Sequence, residues 1–209
     1  MIHSQNITYR YPKKGDGFSF PDISLKNGEH LLVLGASGIG KTTLLHLIAG
    51  LLTPNTGSVL IEKTCLQTLK SKELDRFIGQ NIGLVFQQNR AVTSLNVMEN
   101  IKTRLFFSNV DYNHDEVSAL LGQLNLEDCK DKKINELSVG QLQRLGIALA
   151  VVHRPKVILA DEPTSSLDDK NCHSVLNLLL QQAEVNNANL IVITHDHRIK
   201  PFFQKSIML

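Results

Sequence analysis

A glycine-rich stretch near the start of the chain has the residue types and spacing of a phosphate-binding loop. Residues 35–42 read Gly-Ala-Ser-Gly-Ile-Gly-Lys-Thr. Glycines let backbone N–H groups curl around phosphate oxygens, and the helix that follows adds the positive end of its dipole. A lysine at this position reaches the β- and γ-phosphates, and the next hydroxyl is a ligand for Mg²⁺. The pattern therefore predicts that Lys41 and Thr42 bind a nucleoside triphosphate and its magnesium ion.

An acidic pair follows a second apolar segment. Asp161 and Glu162 come directly after the run Val157 to Ala160. A carboxylate at the end of a core strand beside a phosphate loop can hold Mg²⁺, directly or through water. The adjacent carboxylate can orient and deprotonate an attacking water. The pair predicts a metal ligand at Asp161 and a general base at Glu162, with a solvated strand end as the alternative.

A third motif has no obvious use within one chain. Residues 137–141 read Leu-Ser-Val-Gly-Gln and form a small turn beside a predicted helix. An ordinary helix cap is the simplest alternative. Next to two phosphate-chemistry motifs, however, the spare turn indicates a nucleotide site that a second copy of the protein completes.

The elements that position these motifs are predicted from apolar periodicity and turn residues. Turns are expected at residues 14–17 and 27–28. The predicted strands are Ile7–Tyr9, Phe18–Phe20, His30–Leu34, Gly57–Ile61, Ile82–Phe86, Val157–Ala160 and Leu190–Thr194. The predicted helices are Gly40–Gly50, Val97–Phe107, Asp115–Leu124, Val139–Val152 and Asp169–Val185. This order predicts an α/β fold with a mainly parallel sheet, an N-terminal antiparallel β subdomain and an inserted α-helical subdomain.

Charge, cysteine content and apolar runs narrow the set of possible functions and cellular locations. The chain has 209 residues, and its net charge of +2 gives no nucleic-acid signal. Its three cysteines are scattered, which favours a reducing compartment over a disulfide framework. No apolar run approaches the ~18 residues that span a bilayer, and no signal peptide is evident. We therefore expect a cytoplasmic protein whose membrane contact is made through a partner.

Three further stretches carry a family resemblance. Residues 82–88 read Ile-Gly-Leu-Val-Phe-Gln-Gln, residues 94–101 read Ser-Leu-Asn-Val-Met-Glu-Asn-Ile, and residues 160–168 read Ala-Asp-Glu-Pro-Thr-Ser-Ser-Leu-Asp. With the motifs above, the whole chain resembles the nucleotide-binding subunit of an ATP-binding cassette (ABC) transporter. It is most similar to the lipoprotein-release, macrolide-export and FtsE-type subgroup. The resemblance implies one P-loop ATPase domain over 1–209, with a core of about 1–87 and 155–209 and a helical subdomain of about 88–154.

The resemblance also implies roles for matched residues, with ATP and Mg²⁺ as cofactors. Tyr11 would stack on adenine, although Tyr9 is a nearby competitor. Gln87 would touch Mg²⁺ or the water and sense the membrane partner. His195 would contact the γ-phosphate; the alternative is that it forms one half of a His195-Asp196-His197 metal site. The implied nucleotide contacts within one chain are Tyr11, Gly35, Ser37, Gly38, Gly40, Lys41, Thr42 and Thr43, and the implied catalytic group is Lys41, Gln87, Glu162 and His195.

Other positions are implied to act on the nucleotide of the opposite copy. These are Ser138, Gly140 and Gln141, together with Asp168, which would communicate across the dimer and is also a plausible helix N-cap. Val139 departs from the family's usual Leu-Ser-Gly-Gly-Gln. Because a β-branched residue restricts the local backbone, we expect Val139 either to face away from the phosphate or to weaken closure.

The expected function is an ATPase that powers export or extraction through a separate integral-membrane permease, at the inner face of the cell membrane. Two copies would close on ATP, and the permease would dock beside Gln87 and residues 88–107. Candidate contacts there are Val92, Leu95, Phe106 and Phe107, each of which could instead be core. The main alternative is FtsE-like signalling through a membrane partner without transport. A soluble ABC ATPase acting on ribosomes or DNA and a nucleotide-binding module without turnover also remain open.

Overall fold

The computed structural model describes residues 1–12, 17–87, 90–165 and 167–209. Three features predicted from the sequence fall at least partly outside this range. They are the turn at 14–17, of which Lys14, Gly15 and Asp16 lie outside; the 82–88 motif, of which Gln88 lies outside; and the 160–168 motif, of which Ser166 lies outside.

Strands and helices alternate along most of the chain. In chain order the elements are β1 (Ile2–Tyr9), β2 (Phe18–Ser19), β3 (Ile23–Leu25), β4 (Leu31–Leu34), α1 (Lys41–Ile48), β5 (Thr56–Ile61), β6 (Thr64–Cys65), α2 (Ser71–Asn81), β7 (Ile82–Val85), α3 (Val97–Ser108), α4 (His114–Gln123), α5 (Val139–Val151), β8 (Val157–Asp161), α6 (Asp169–Val185), β9 (Asn189–Thr194) and β10 (Lys205–Met208). Short 3₁₀ turns occupy Leu66–Thr68, Glu127–Cys129, Ile134–Glu136 and His197–Phe202.

A five-stranded parallel sheet forms the centre of the fold, in the order β10-β4-β9-β8-β7. All residues of β4 and β9 are buried, and so are those of β8 up to Ala160. Continuous apolar strands are typical of a parallel sheet that is covered on both faces. Because parallel strands end at the same edge, the segments that follow β4, β7, β8 and β9 meet there.

A second sheet is antiparallel and is built from the N-terminal part of the chain. Its order is β2-β1-β5-β6, and β3 also pairs with β1. Buried side chains of this sheet, such as Ile2 and Ile61, share one apolar cluster with α1. The predicted combination of a parallel core and an N-terminal antiparallel subdomain is confirmed.

The helical section from α3 to α5 has strong local start signals. Asn96 and Glu99 form a reciprocal capping box at the start of α3, and Ser138 and Gln141 do the same for α5. Ile101 on α3 and Leu145 on α5 are fully buried in the cluster that also includes the adjacent face of the parallel sheet. The predicted inserted helices are therefore present, while the domain boundaries at about 88 and 154 stay a prediction.

Five strands or helices differ clearly from the prediction. β1 begins at Ile2 rather than Ile7, and β3, β6, α2 and β10 were not predicted. None of the side chains of α2 is fully buried, although Leu74, Phe77 and Ile78 lie at helical spacing and pack on the apolar cluster that contains α1. β10 is a four-residue edge strand with mostly exposed side chains, and it is defined by backbone pairing with β4. Edge pairing of this kind has no strong apolar signature in the sequence.

None of the helices in the described residues is long and apolar enough to cross a membrane.

Candidate functional site

The phosphate loop lies between the end of β4 and the start of α1, as its spacing predicts. Gly38 and Gly40 have φ values of 83° and 109°, which L-residues with a Cβ rarely adopt. A Cβ on Gly40 would lie 2.7 Å from Phe18 Cδ1. Gly40 is therefore required both by its conformation and by the aromatic ring packed against it.

Lys41 is almost fully buried at the base of this loop. Its Nζ donates hydrogen bonds to the carbonyl oxygens of Gly35, at 2.8 Å, and Ala36, at 3.0 Å. The same Nζ lies 3.4 Å from Glu162 Oε1, and both side chains are at most 10% exposed. The ammonium group is thus held at the loop and next to the acidic pair, where it can stabilise negative charge.

Thr42 and Asp161 bring two oxygen ligands together across 119 residues of sequence. Thr42 Oγ1 donates to Asp161 Oδ2 at 3.0 Å. Burial raises the pKa of Asp161, an effect that the Thr42 hydrogen bond partly offsets and neighbouring Glu162 reinforces. A hydroxyl and a carboxylate at the mouth of a phosphate loop are the donors that Mg²⁺ prefers, so these residues fit a magnesium ion.

Glu162 is held by contacts from the end of β9. Its backbone has φ of 49°, an uncommon value for a side-chain-bearing residue. Thr194 Oγ1 donates to Oε2 at 2.7 Å, and His195 Nδ1 lies 2.9 Å from Oε1. Burial alone would raise the pKa of Glu162, but the His195 and Thr194 hydrogen bonds outweigh it and lower the pKa below its ordinary value. The carboxylate is therefore ionised at neutral pH, as a general base must be.

These groups line one cleft of about 340 Å³. The sequence-predicted residues that line it are Tyr11, Ser37, Gly38, Gly40, Lys41, Thr42, Thr43, Gln87, Asp161, Glu162 and His195. The Tyr11 hydroxyl lies 3.1 Å from Thr43 Oγ1. Tyr9, the predicted competitor, packs edge-on against Tyr11, with ring centroids 4.8 Å apart.

Phe18 also lines the cleft, and the sequence analysis assigned it only to a strand. Its ring packs against Tyr11, Phe20 and Gly40. The signal that could have found it is the glycine requirement at Gly40, but the contact spans more than twenty residues and depends on how β2 lies beside the loop. Phe18 adds a second aromatic wall next to Tyr11.

The spare motif at 137–141 contributes none of its residues to the described lining of this cleft, so Ser138, Gly140 and Gln141 lie outside it. Val139 lines an adjoining cavity, which shares Gln87 and Glu162 with the cleft. Ser138 is the N-cap of α5: its Oγ accepts from Gln141 N at 3.3 Å, and Gln141 Nε2 lies 3.0 Å from Cys129 Sγ. Val139 is 78% exposed. Asp168 is likewise outside the cleft lining and caps α6 by accepting from Asn171 N at 2.9 Å.

A charged network that the sequence analysis missed connects the β9 end to the start of α6. Arg198 donates to both carboxylate oxygens of Asp196, at 2.9 and 2.8 Å. The guanidinium also contacts Asp169 Oδ1 at 2.5 Å and the Leu167 carbonyl at 3.2 Å. The Arg198 hydrogen bonds hold the pKa of Asp196 far below its usual range. The segment that follows His195 is thereby joined to the segment that contains Asp168.

This network argues against the predicted metal alternative at His195. Asp196 is the middle residue of the His195-Asp196-His197 sequence. Its carboxylate accepts hydrogen bonds from Arg198, and it accepts another from Thr164 Oγ1 at 3.0 Å. Its oxygens are therefore already engaged by cationic and hydroxyl donors rather than directed to a site shared with the two histidines.

Arg198→Met is expected to slow ATP hydrolysis roughly tenfold with little change in KM, because Arg198 positions the His195 segment without lining the cleft. The measurement is steady-state ATPase kinetics at a temperature where both proteins are folded. Arg154→Met is the matched control, since Arg154 forms an exposed ion pair with Glu116 on the helical section. Equal turnover in the Arg198 variant and the control would contradict a positioning role.

Comparisons with known proteins agree with this geometry. Residues 20–165 match the family model described as ABC transporter. The chain is 37% identical over 177 residues to the bacitracin export ATP-binding protein BceA of Halalkalibacterium halodurans, covering 84% of this chain and 70% of the relative. It is 35% identical over 204 residues to the lipoprotein-releasing system ATP-binding protein LolD of Syntrophotalea carbinolica, covering 95% and 90%.

A solved structure extends the likeness to the whole fold. The dimeric post-hydrolysis structure of the ATP-binding cassette MJ0796 bound to ADP and Pi has a TM-score of 0.88 and 31% identity, covering 100% of this chain and 94% of that one. The predicted family and ATPase activity are confirmed: the protein is the ATP-binding ATPase subunit of a transporter, similar to the LolD and BceA ATPases. The chain belongs to the ABC transporter family.

Proposed function

We propose that the protein is a motor subunit in which two copies close on two ATP molecules and thereby drive a separate membrane subunit. In each site one chain contributes the cleft residues, and the other contributes Ser138, Gly140 and Gln141. Asp168 lies at the same interface and communicates between the two sites. The single observation that carries this proposal is that Ser138, Gly140 and Gln141, at the start of α5, lie outside the described lining of the ATP cleft of their own chain.

The turn is built to present groups outward. The Ser138 side chain and the first backbone N–H groups of α5 lie at a helix N-terminus, which favours an anion such as a γ-phosphate. Val139, which is 78% exposed, lies outside the described lining of the ATP cleft of its own chain. A symmetric head-to-tail pair would bring this N-terminus to the partner's phosphate loop. The dimeric ADP- and Pi-bound cassette with the same fold supports this arrangement.

Within a site, the residues divide the chemistry. Lys41 and the loop N–H groups bind the phosphates, and Tyr11 with Phe18 borders the adenine. Thr42, Asp161 and Gln87 would hold Mg²⁺, which offsets phosphate charge when bound. Glu162 accepts the proton of the attacking water, while His195 orients Glu162 through Nδ1 and lies beside the γ-phosphate. His195 and Lys41 together place positive or polar donors where charge develops.

ATP favours the closed pair because the γ-phosphate contacts both chains, and hydrolysis removes that bridge. Export or extraction is the proposed direction, by analogy with the bacitracin-export and lipoprotein-releasing relatives. The membrane subunit would anchor the protein at the inner face of the membrane. It would dock beside Gln87 and α3, where Val92, Phe106 and Phe107 are exposed and Leu95 is half-buried.

The test is the oligomeric state of Glu162→Gln, measured by light scattering with and without ATP and Mg²⁺. Slow hydrolysis should trap the closed pair, so ATP should shift the mass from 23.3 kDa to twice that value. Adding Lys41→Ala should abolish the shift. ATP binding without a dimer would count against the shared site in the isolated protein. A dimer that appears only after Val139→Gly would assign the failure to the altered turn.

A further inference from the structure

The turn after Glu162, the proposed general base, is held by contacts with other elements. The φ of Glu162 is 49°, in the left-handed region, and residues with a Cβ keep such a conformation only where the surrounding structure fixes it. The Glu162 N–H donates to the Ile193 carbonyl of β9 at 2.9 Å, which places the residue itself. Ser165 Oγ donates back to the Glu162 carbonyl at 3.2 Å, which closes the turn locally but attaches it to no other element.

Gln143 on α5 supplies one contact from another element. Its Nε2 donates to the Pro163 carbonyl at 2.7 Å. Pro163 is buried, and leaving a buried carbonyl without a donor costs free energy, which opposes separation of the two groups. Gln143, Pro163 and Glu162 all line the cavity that adjoins the ATP cleft. Because the acceptor lies one residue after the base, a displacement of Gln143 would act on Glu162 almost directly.

The end of β9 supplies a second contact. Thr164 is fully buried, and its Oγ1 donates to Asp196 Oδ2 at 3.0 Å. The turn is therefore held from two sides, by α5 through Gln143 and by the β9 end through Thr164. Loss of one contact should displace Glu162 without releasing the turn.

α5 is a stiff support for Gln143. A Cβ on Gly83 of β7 would overlap the Ala150 carbonyl oxygen of α5, so helix and strand lie closer than a side chain at this position would allow. Leu145 and Ile147 of the same helix are fully buried. Close packing of this kind transmits a displacement rather than absorbing it. The Gln143 amide is therefore presented to the turn from a fixed base.

Gln143 is also close to the turn at 137–141, which offers a competing role, the support of that turn in the partner's site. The 137–141 turn has supports of its own, since Ser138 N donates to Gln141 Oε1 at 2.9 Å and Ser138 Oγ accepts from Gln141 N at 3.3 Å. The Gln143 amide is directed instead to Pro163. The contacts therefore favour a role at Glu162 over a role at the 137–141 turn.

We propose that Gln143 is a positioning residue for ATP hydrolysis, and that it holds Glu162 of its own chain in place through the Pro163 carbonyl. Gln143 lies outside the described lining of the ATP cleft, so its effect passes through Glu162 and not through the nucleotide. The inference rests on the proposed function, which supplies Glu162 as the base and a second site against which the role of Gln143 is tested.

Gln143→Met removes the N–H donor and keeps an unbranched side chain of similar length. Methionine, lysine and glutamine have similar helix propensities, so α5 should stay intact. We expect kcat to fall about tenfold, less than the ~10²-fold cost of a misplaced catalytic group, because Thr194 and His195 still hold the carboxylate. KM and ATP affinity should change little. Gln143→Lys keeps an N–H donor and should recover most of the rate.

Gln123→Met is the matched control, because it makes the same chemical change at a glutamine that joins α4 to α6. Gln123 Oε1 accepts from Gln182 Nε2 at 2.9 Å, and neither residue belongs to the described lining of either cavity. This variant should turn over ATP at the wild-type rate, at a temperature where all the proteins are folded. A loss of ATP affinity as large as the loss in kcat, or no recovery in Gln143→Lys, would assign Gln143 to the packing of α5 and overturn the positioning role.

Mixed pairs then test which of the two sites Gln143 serves. A limiting amount of one chain is mixed with a large excess of Glu162→Gln chain, so that nearly every limiting chain pairs with the excess chain and contributes the only intact base. The rate of the first turnover is followed by rapid measurement of phosphate release. In one arrangement the limiting chain carries Gln143→Met, and in the other the excess chain carries it together with Glu162→Gln. The reference is a limiting wild-type chain with the Glu162→Gln chain in excess.

The first turnover should be about tenfold slower when Gln143→Met is in the chain that carries the intact Glu162, and equal to the reference when it is in the excess chain. A loss that arises only from the excess chain would assign Gln143 to the turn at 137–141 and overturn the inference. Equal losses in both arrangements would indicate a general effect on closure and overturn it as well. So would two rates equal to the reference.

Failure of the shared site has its own signature. If the limiting wild-type chain releases phosphate at the same rate with and without the excess chain, the two copies do not share a site, and the proposed function fails. The positioning role then stands or falls on the Gln143→Met chain alone, by its lower kcat at unchanged KM and by the recovery in Gln143→Lys.

Discussion

Glu162→Gln is expected to lower ATP turnover by about 10²–10⁴-fold while ATP binding is retained. The amide keeps the size of the side chain and can still contact Thr194 and His195, so the cleft should keep its shape. It cannot accept the proton of the attacking water. The loss should therefore appear in kcat, with little change in the dissociation constant for ATP.

Turnover is measured by phosphate release and binding by equilibrium dialysis, both with Mg²⁺ present. Glu184→Gln is the matched control, because Glu184 is exposed on α6 and lies outside the described cleft lining. The control should hydrolyse at the wild-type rate. Wild-type turnover in Glu162→Gln would mean that another group activates the water.

Lys41→Ala is expected to act on binding instead, with an affinity for ATP about 10²-fold lower. Lys41 is the buried cation of the phosphate loop, and its Nζ lies within 3.0 Å of two loop carbonyls. Its removal leaves those carbonyls and Glu162 facing the phosphates without the charge that offsets them. Electrostatic repulsion should then oppose the triphosphate directly.

The measurement is a binding isotherm with ATP and Mg²⁺, and the dissociation constant of Lys41→Ala is compared with that of Lys205→Ala. Lys205 is a suitable control because it lies on the edge strand β10 and forms a partly exposed ion pair with Glu29. Its replacement should leave ATP affinity unchanged. Unaltered affinity in Lys41→Ala would refute the assignment of residues 35–42 as the phosphate-binding loop.

Local patterns were sufficient for strands that bury a continuous apolar run and for helices with a clear apolar period and a capping residue. The bounds of α6 match the prediction, and those of α3, α5, β8 and β9 lie within one residue of it. Capping residues mark the starts of α3, α5 and α6 in the sequence itself. β10 was not predicted because its side chains are mostly exposed and its backbone pairing with β4 defines it. For α2 the signal was present in the sequence, as Leu74, Phe77 and Ile78 at helical spacing, and the sequence analysis did not use it.

The sequence by itself determined the chemistry of the ATP cleft. The spacing within residues 35–42 specifies a phosphate loop because glycine conformation and helix polarity are local properties. The acidic pair at the end of β8 is equally local. Eleven of the predicted site residues accordingly line one cleft, although their individual roles stay predictions.

Only the tertiary structure decided which distant groups support that chemistry and which groups surround each buried charge. Examples are the Phe18 ring on Gly40, the Arg198 link between the β9 end and α6, and the hydrogen bonds from Arg104 to the carbonyls of Ile82 and Leu149. These contacts join positions far apart in sequence, and the energy of a buried charge depends on every group around it. No periodicity or motif encodes such surroundings, so they follow from the packing of the whole fold.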